Sequence, residues 1–361
     1  MNFRSLLRPR VNFKKKSTIA FIIFWVLIIV LALIVMNFGS KNKYGMDIFG
    51  SEKRDTVGTG SSNSYNYSHS TEDIYDIDIR WQSGKIELKT GNSDEFRITE
   101  TSAKELDHSN RLTIDGEDGS LLIKWDEQTG MGEFLRGQYD KDLIIEIPAD
   151  FDIELLKIST VYGEVSLNGL EASELKINSI SADVKLQDSK AYDMKLKTDS
   201  GEISLMNVMA ENMKLVSTSG AIEAENSIGY SLKLDSVSGD ITFAGSFEKL
   251  TAASVDGDLT LFTAVLPKQL ELAAVSGNVE LTIPENSDLP VKLKSVAGEI
   301  NTDFEELDIS NFPEQDADKE KDKEEEKTFL NIKTTSGNIK LTKGEKAVKL
   351  AEIFPEESAD E

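Results

Sequence analysis

LKISTVYGEVSLNGLEASELKINSISADVKLQDSKAYDMKLKTDSGEISL, residues 156–205, repeats itself every 19 residues. The phrases ISTVYGEVSL, INSISADVKL and LKTDSGEISL align on Gly163, Ala182 and Gly201. Followed outward, the same position recurs at Gly220, Gly239, Gly257, Gly277, Gly298 and Gly337, with successive spacings of 19, 19, 19, 19, 18, 20, 21 and 39. An earlier copy centres on Gly84. Repetition at a period of about 20 residues is the mark of a stacked architecture.

Columns appear once the copies are aligned. Seven positions before the glycine stand Leu156, Leu175, Met194, Met213, Leu232 and Leu250; five before stand Ile158, Ile177, Leu196, Leu215, Leu234 and Ala252. Two after it are Val165, Val184, Ile203, Ile222, Ile241 and Leu259, and four after it the residues are mostly Leu or Phe. Apolar residues at these offsets describe two period-2 strands on either side of a corner. The glycine is placed at that corner for its access to positive φ. A small residue three positions before it (Thr160, Ser179, Thr198, Ser217, Ser236, Ser254) has inward parity, which predicts a hydroxyl ladder beside the turn.

One such coil cannot bury its own apolar face, whereas stacked parallel coils about 4.8 Å apart can. The fold expected is therefore all-β, a parallel β-helix or β-solenoid of about 19–20 residues per coil and roughly ten to fourteen coils. Helical periodicity fails because the apolar spacing is two, and no six-residue subperiod supports a hexapeptide solenoid. The interval from Gly84 to Gly163 is 79 residues, close to four periods, and 97–150 reads as an irregular cap or first coils. The 39-residue step reads as about two periods with an insertion.

Outside the repeat, residues 17–38 form an apolar, uncharged segment long enough for a transmembrane helix. Arg4, Arg8, Arg10, Lys14, Lys15 and Lys16 precede it, so 1–16 is expected in the cytoplasm and the rest outside the cell membrane. An uncleaved signal-anchor fits better than a cleaved signal peptide, since no small-x-small site follows. Residues 39–72 read as a flexible linker, 73–345 as the solenoid, 313–327 (PEQDADKEKDKEEEK) as an acidic disordered insertion, and 346–361 as a charged tail.

The formal net charge is -24, and the chain beyond residue 16 carries 34 basic against 64 acidic residues. That balance opposes unaided nucleic-acid binding. Cysteine is absent and the only histidines are His69 and His108, so thiolate metal sites and His-dependent triads have little to draw on. No cofactor is expected.

Two charged columns remain. The acidic one (Glu164, Asp183, Glu202, Asp240, Asp258, Glu299) could ligate calcium, but corner residues with solvated charges explain it better. The basic one, Lys157, Lys176, Lys195, Lys214 and Lys233, would form a track for an anionic polymer or headgroups. Its plainer reading is an outward strand position partly paired with neighbours such as Glu174 and Asp193. An elongated β-helix could also be a polysaccharide lyase or hydrolase. The regular coils, however, contain no Arg, few aromatics and no coil that stands out chemically.

The repeated Ser-Gly-Asp/Glu-Ile-x-Leu phrase and the run LIIEIPADFDIELLKISTVYGEVSL (143–167) resemble a bacterial family of β-strand-repeat proteins labelled adhesins, with LiaG-like membrane-anchored members. The resemblance covers about residues 74–341 and implies a β-solenoid without transferable catalytic residues. The function expected is a non-enzymatic cell-envelope scaffold or binding module. Its partners would be the membrane, wall polymer or envelope proteins, with no nucleic acid. A carbohydrate-active enzyme and an envelope-stress regulatory accessory are the alternatives.

Overall fold

Each of the phrases aligned above folds as a strand, a tight corner and a second strand. The computed structural model describes residues 63–125, 141–285, 291–304 and 329–344. The anchor segment 17–38, the basic segment 1–16, the acidic insertion 313–327 and the tail 346–361 lie outside them. Among the described residues no helix is long and apolar enough to cross a membrane.

Strands before the corner form one parallel ladder and strands after it a second. Ile153–Thr160 pairs with Glu171–Ser179, then Lys190–Lys197, Met209–Val216 and onward; Glu164–Asn168 pairs with Asp183–Gln187, then Ile203–Met206 and onward. The register is one repeat per step, so every sequence column is a spatial column: Ile158 pairs with Ile177, and Ile177 with Leu196. The apolar columns face each other across the two ladders. Leu156, Ile158, Val165 and Leu167 are buried, and so are their counterparts through Leu281. Burying each such side chain contributes roughly 1.5–3 kcal/mol, and stacking supplies that to every coil at once.

The corner glycines are required for a reason other than the one expected. Positive φ occurs at Gly84 and Gly163 but is not a feature of the later corners. There the stack itself excludes a side chain: a Cβ on Gly220 would lie 1.9 Å from the carbonyl oxygen of Gly201, and one on Gly239 would lie 2.0 Å from that of Gly220. Corner backbone rests directly on corner backbone. Ala182, the one exception among these corners, is buried, and it follows the Gly163 corner, whose φ is 118°.

The inward hydroxyl column is also real, but its partners are backbone groups. Thr198 Oγ1 accepts from Gly201 N–H at 2.9 Å, Ser236 Oγ from Gly239 at 2.9 Å, and Thr334 Oγ1 from Gly337 at 3.1 Å. Ser295 and Thr334 also donate to the corner carbonyl of the adjacent coil, Gly337 and Gly277 respectively. These hydroxyls satisfy polar groups that a dry corner would otherwise bury alone, whereas Thr160 and Ser217 in the same column have no hydrogen-bond partner among the described residues.

A second corner, six residues after the first, closes the four coils that begin at Gly163, Ala182, Gly201 and Gly220. Gly169, Asp188, Asn207 and Asn226 hold it with φ between 49° and 66°, the left-handed region that Gly, Asn and Asp tolerate. Asn207 Nδ2 donates to Asp188 Oδ1 at 2.8 Å, and Asn226 Nδ2 to Asn207 Oδ1 at 3.3 Å.

Both ends of the stack depart from sequence order. The 79-residue interval is not four periods: Asp76–Arg80 pairs directly with Ile153–Thr160, and Gly84 underlies Gly163. On the far side of Asp76–Arg80 lies Ser120–Trp125, and on the far side of Lys85–Gly91 lies Lys141–Pro148. At the other end, Phe329–Thr334 and Ile339–Gly344 insert between the Gly277 coil and the Gly298 coil. The 39-residue step is therefore one coil plus the insertion, placed out of order. Layers corresponding to Ser120–Trp125, Gly84, Gly163, Ala182, Gly201, Gly220, Gly239, Gly257, Gly277, Gly337 and Gly298 make up the stack in space.

The N-terminal end is closed by antiparallel strands. Leu112–Glu117 pairs with Ser120–Trp125, Glu95–Ser102 with Lys141–Pro148, and Asn63–Ser70 with Glu95–Ser102. The last of these lies within 39–72, so strand structure starts at Asn63, inside the stretch expected to be a flexible linker. Beneath this cover the fully buried Lys141 Nζ pairs with the fully buried Glu100 and donates to Asn110 O at 2.9 Å. It stands 4.2 Å from the ring centre of Trp125 and 5.0 Å from that of Trp81. Burial pushes the Lys141 ammonium below its ordinary range, with Glu100 pulling it back. Burial, with the charge of Glu100 beside it, also pushes the Tyr67 phenol up to about 12.

Candidate functional site

The lysine column is a physical ladder. Lys157, Lys176, Lys195, Lys214 and Lys233 are consecutive register partners on the ladder formed by the strands before the corner. Their strand position has outward parity, because Leu156 and Ile158 on either side of Lys157 point into the core. The row is bounded by Asp78 on one side and Thr251 on the other.

Intramolecular partners engage part of it. Lys157 Nζ lies 3.2 Å from Asp78, Lys176 2.5 Å from Glu174, and Lys233 3.5 Å from Asp235. Asp193 is bonded to the amide of Asn212 at 2.9 Å. Among the described residues, Lys195 and Lys214 at the centre of the row make no ion pair; Lys195 is exposed. Asp235, next to the ladder's end, is nearly buried, and burial raises its carboxyl above the usual range against the pull of Lys233 and Lys214.

The acidic column follows the corner chemistry. Asp183 Oδ1 accepts the N–H of Glu202 at 2.9 Å, Asp240 that of Asp258 at 2.8 Å, and Asp258 that of Asn278 at 2.7 Å. These three carboxylates are engaged by the backbone of the adjacent coil. Glu164 is bonded to Lys185 at 2.7 Å, which holds its carboxyl below the ordinary range. Among the described residues no cluster of His, Asp and Glu is arranged to hold a metal ion. His69 sits on the first strand, half-buried beside Gly116, and His108 is exposed in a short turn; the two stand apart from either column.

The two-ladder stack with its repeating corner is matched by a family model described as toastrack, DUF4097, over residues 74–342. The chain belongs to the DUF4097 toastrack family. This toastrack is also similar to solved bacterial structures. A Parabacteroides distasonis protein described as a candidate lipid-binding protein shares 14% identity at a TM-score of 0.50, covering 79% of this chain and 98% of that one. A candidate adhesin from Parabacteroides merdae shares 13% identity at a TM-score of 0.47, covering 78% and 97%. A candidate cell adhesion protein from Clostridium sporogenes shares 10% identity at a TM-score of 0.24, covering 79% and 100%. No curated protein matches the chain.

Sequence reading of this toastrack missed two features. The Lys141–Glu100 pair carried no periodic signal, because its members lie 41 residues apart in the irregular region. The second corner did carry one: Gly169, Asp188, Asn207 and Asn226 are spaced by 19. The same count shows where it stops. The coil after Gly239 is one residue short and, like the Asn226 coil before it (Ile222–Asp235), runs through as one strand, Ile241–Ser254, but without a left-handed residue; its register to the previous coil shifts between Glu225 and Ser227. The left-handed corner ends at Asn226: neither this coil nor the Gly257 and Gly277 coils after it have a left-handed residue at that place.

Proposed function

We propose that the chain is a non-enzymatic binding module of the cell envelope. It is anchored by the single span 17–38 with its N-terminus in the cytoplasm, and it holds an anionic envelope polymer along the ladder Lys157–Lys176–Lys195–Lys214–Lys233. The observation that carries this reading is the register, which sets the same cation on five consecutive strands. Neighbouring strands are about 4.8 Å apart, so the row extends over roughly 19 Å. Two unit charges about 4.8 Å apart repel by roughly 0.9 kcal/mol in water. Asp78, Glu174 and Asp235 relieve the ends of the row, and an anionic chain laid across the strands would relieve its centre. The carboxylates of Asp183, Asp240 and Asp258 serve the corners, which supports a structural rather than a catalytic reading of them.

Anionic lipid headgroups are the second reading, favoured by the related fold described as a lipid-binding candidate. The test is co-sedimentation of the full-length chain with insoluble cell-wall material. Vesicles with and without phosphatidylglycerol form the second arm, and the comparison protein has all five lysines changed to Gln. Wall retention that weakens with salt and disappears in the Gln variant is the expected result. Retention on phosphatidylglycerol vesicles alone would assign the ladder to headgroups. Retention unaffected by the Gln substitutions would end the ladder's role.

A further inference from the structure

The missing second corner leaves a depression where the side-chain ladder breaks off. Asn226 is the last member: its amide donates back to Asn207, and among the described residues no group donates to its Oδ1. In the next coil the chain passes beneath it as Ala244–Gly245–Ser246. The path is close, since a Cβ on Gly245 would stand 2.0 Å from Ser227 O. In the following coil Phe262, the register partner of Ala244, stands on the far side with 44% of its surface exposed. Between these walls lies a cavity of about 460 Å³ lined by Asp188, Asn207, Asn226, Met209, Gly245 and Phe262, among others.

The lining has a definite chemistry. One wall offers a carboxylate and two carboxamides, joined to one another through their amides and set beside the apolar Val208, Met209 and Ile228; their remaining lone pairs and N–H groups supply acceptors and donors. The opposite wall offers an exposed aromatic ring, and the floor is small and close to the backbone. No cation lines the cavity, which separates it from the lysine ladder and disfavours an anionic ligand. Pyranosides need this combination: a C–H face for an aromatic ring, and hydroxyls that must both donate and accept. The volume falls in the range of small-molecule sites, about 300–1,000 Å³.

We infer that the break in the Asp188–Asn207–Asn226 ladder is a binding site for an uncharged sugar ring, stacked on Phe262 and hydrogen-bonded by the ladder's side chains. The site stands independently of the lysine ladder, so either can fail alone.

The experiment is ligand-observed saturation-transfer NMR on the full-length chain in a sugar-free detergent. The probes are the methyl glycosides of glucose, galactose, mannose and N-acetylglucosamine. At least one is expected to show transfer. The signal should fall roughly fivefold or more in Phe262→Ala and in Asn226→Ala, in line with the loss of one ring contact or one bonded group. Phe262→Leu keeps apolar volume without the ring and is expected to lose the signal as well, which guards against a folding defect in the Ala variant. The five-lysine Gln variant should bind as the parent does. Transfer to none of the four glycosides, or transfer surviving both Phe262→Leu and Asn226→Ala, would overturn the site. So would equal transfer to cyclohexanol, which would mark an apolar crevice without sugar geometry.

Discussion

From Ile153 to Thr263 the coils follow one another in sequence order, each resting on the one before it through a corner that is glycine in all but the Ala182 coil, a small hydroxyl residue and four apolar columns. N-terminal to Ile153 that regularity is absent. The coils there are stacked out of order, antiparallel strands cover them, and the centre of the packing is an ion pair enclosed by two indole rings. The middle is stabilised by backbone proximity repeated many times, the end by one charged contact made once. Interrupting a repeated contact disturbs its neighbours, whereas removing a unique one exposes whatever it covered. The two regions should therefore fail differently.

The largest effect is expected at the end. Lys141→Met leaves Glu100 buried without its counter-charge and should cost about 3–5 kcal/mol by denaturant unfolding. Lys141→Met combined with Glu100→Leu should be less destabilised than either single variant, because the cost lies in the unpaired charge. Hydrogen exchange sharpens the contrast. Lys141→Met should accelerate amides in 63–125 while those of 203–263 stay protected, as nearest-neighbour stacking implies.

Next comes the middle. Gly239→Ala sets a Cβ against the carbonyl of Gly220 and should cost ~3 kcal/mol, with exchange rising in the coils on both sides. Ala182→Gly should change stability by less than about 1 kcal/mol, since only a methyl and some backbone entropy are at stake. A Gly239→Ala variant as stable as the parent would mean that the corners shift apart readily, contrary to the packing described.

The second corner gives a smaller change. Asn207→Ala strains a residue at φ 55° and removes the amide between Asp188 and Asn226, for an expected loss of ~1 kcal/mol. Asn207→Gly should lose less, because it keeps the left-handed conformation.

The smallest effect is in pH. Tyr67 is raised to about 12 in the folded chain, so its contribution is fully present below the unfolded value near 10 and is lost as pH rises toward 12. Lys141 acts the other way: its folded value is lowered, the unfolded state holds the extra proton, and stability rises with pH across that interval. Tyr67→Phe should reduce the fall between pH 10 and 12, leaving the smaller part that Lys85, Lys185 and Lys340, also raised by their carboxylate partners, contribute. Identical alkaline unfolding profiles for parent and Tyr67→Phe would show that the phenol does not titrate with folding.

Most of the candidate ladder was legible beforehand because it obeys the period: Lys157 and Lys176 had to become neighbours once the coils were parallel and in register. Which of the five keep a free ammonium was not legible, since Asp78 lies 79 residues from Lys157 and reaches it only because the Gly84 coil stacks beneath Gly163. Asn226 and Phe262 were passed over for a related reason. Neither is unusual by itself, and the cavity between them exists because one coil is a residue short.

The sequence by itself determined the coil: its strands, its inward columns, its first corner and the lysine row. All of these depend on contacts between positions about 19 residues apart, which the repeat displays directly. Tertiary structure alone decided the order of the end coils and how the N-terminal end closes. Every coil offers nearly the same apolar columns and the same unpaired strand edges, so the repeat permits any coil to follow any other. Unique contacts such as Lys141–Glu100, and the length of chain joining the coils, make that choice, and neither is periodic. The glycines show the same division. Their positions were plain in the repeat, but the reason for them, one backbone lying against the next, exists only in the stack.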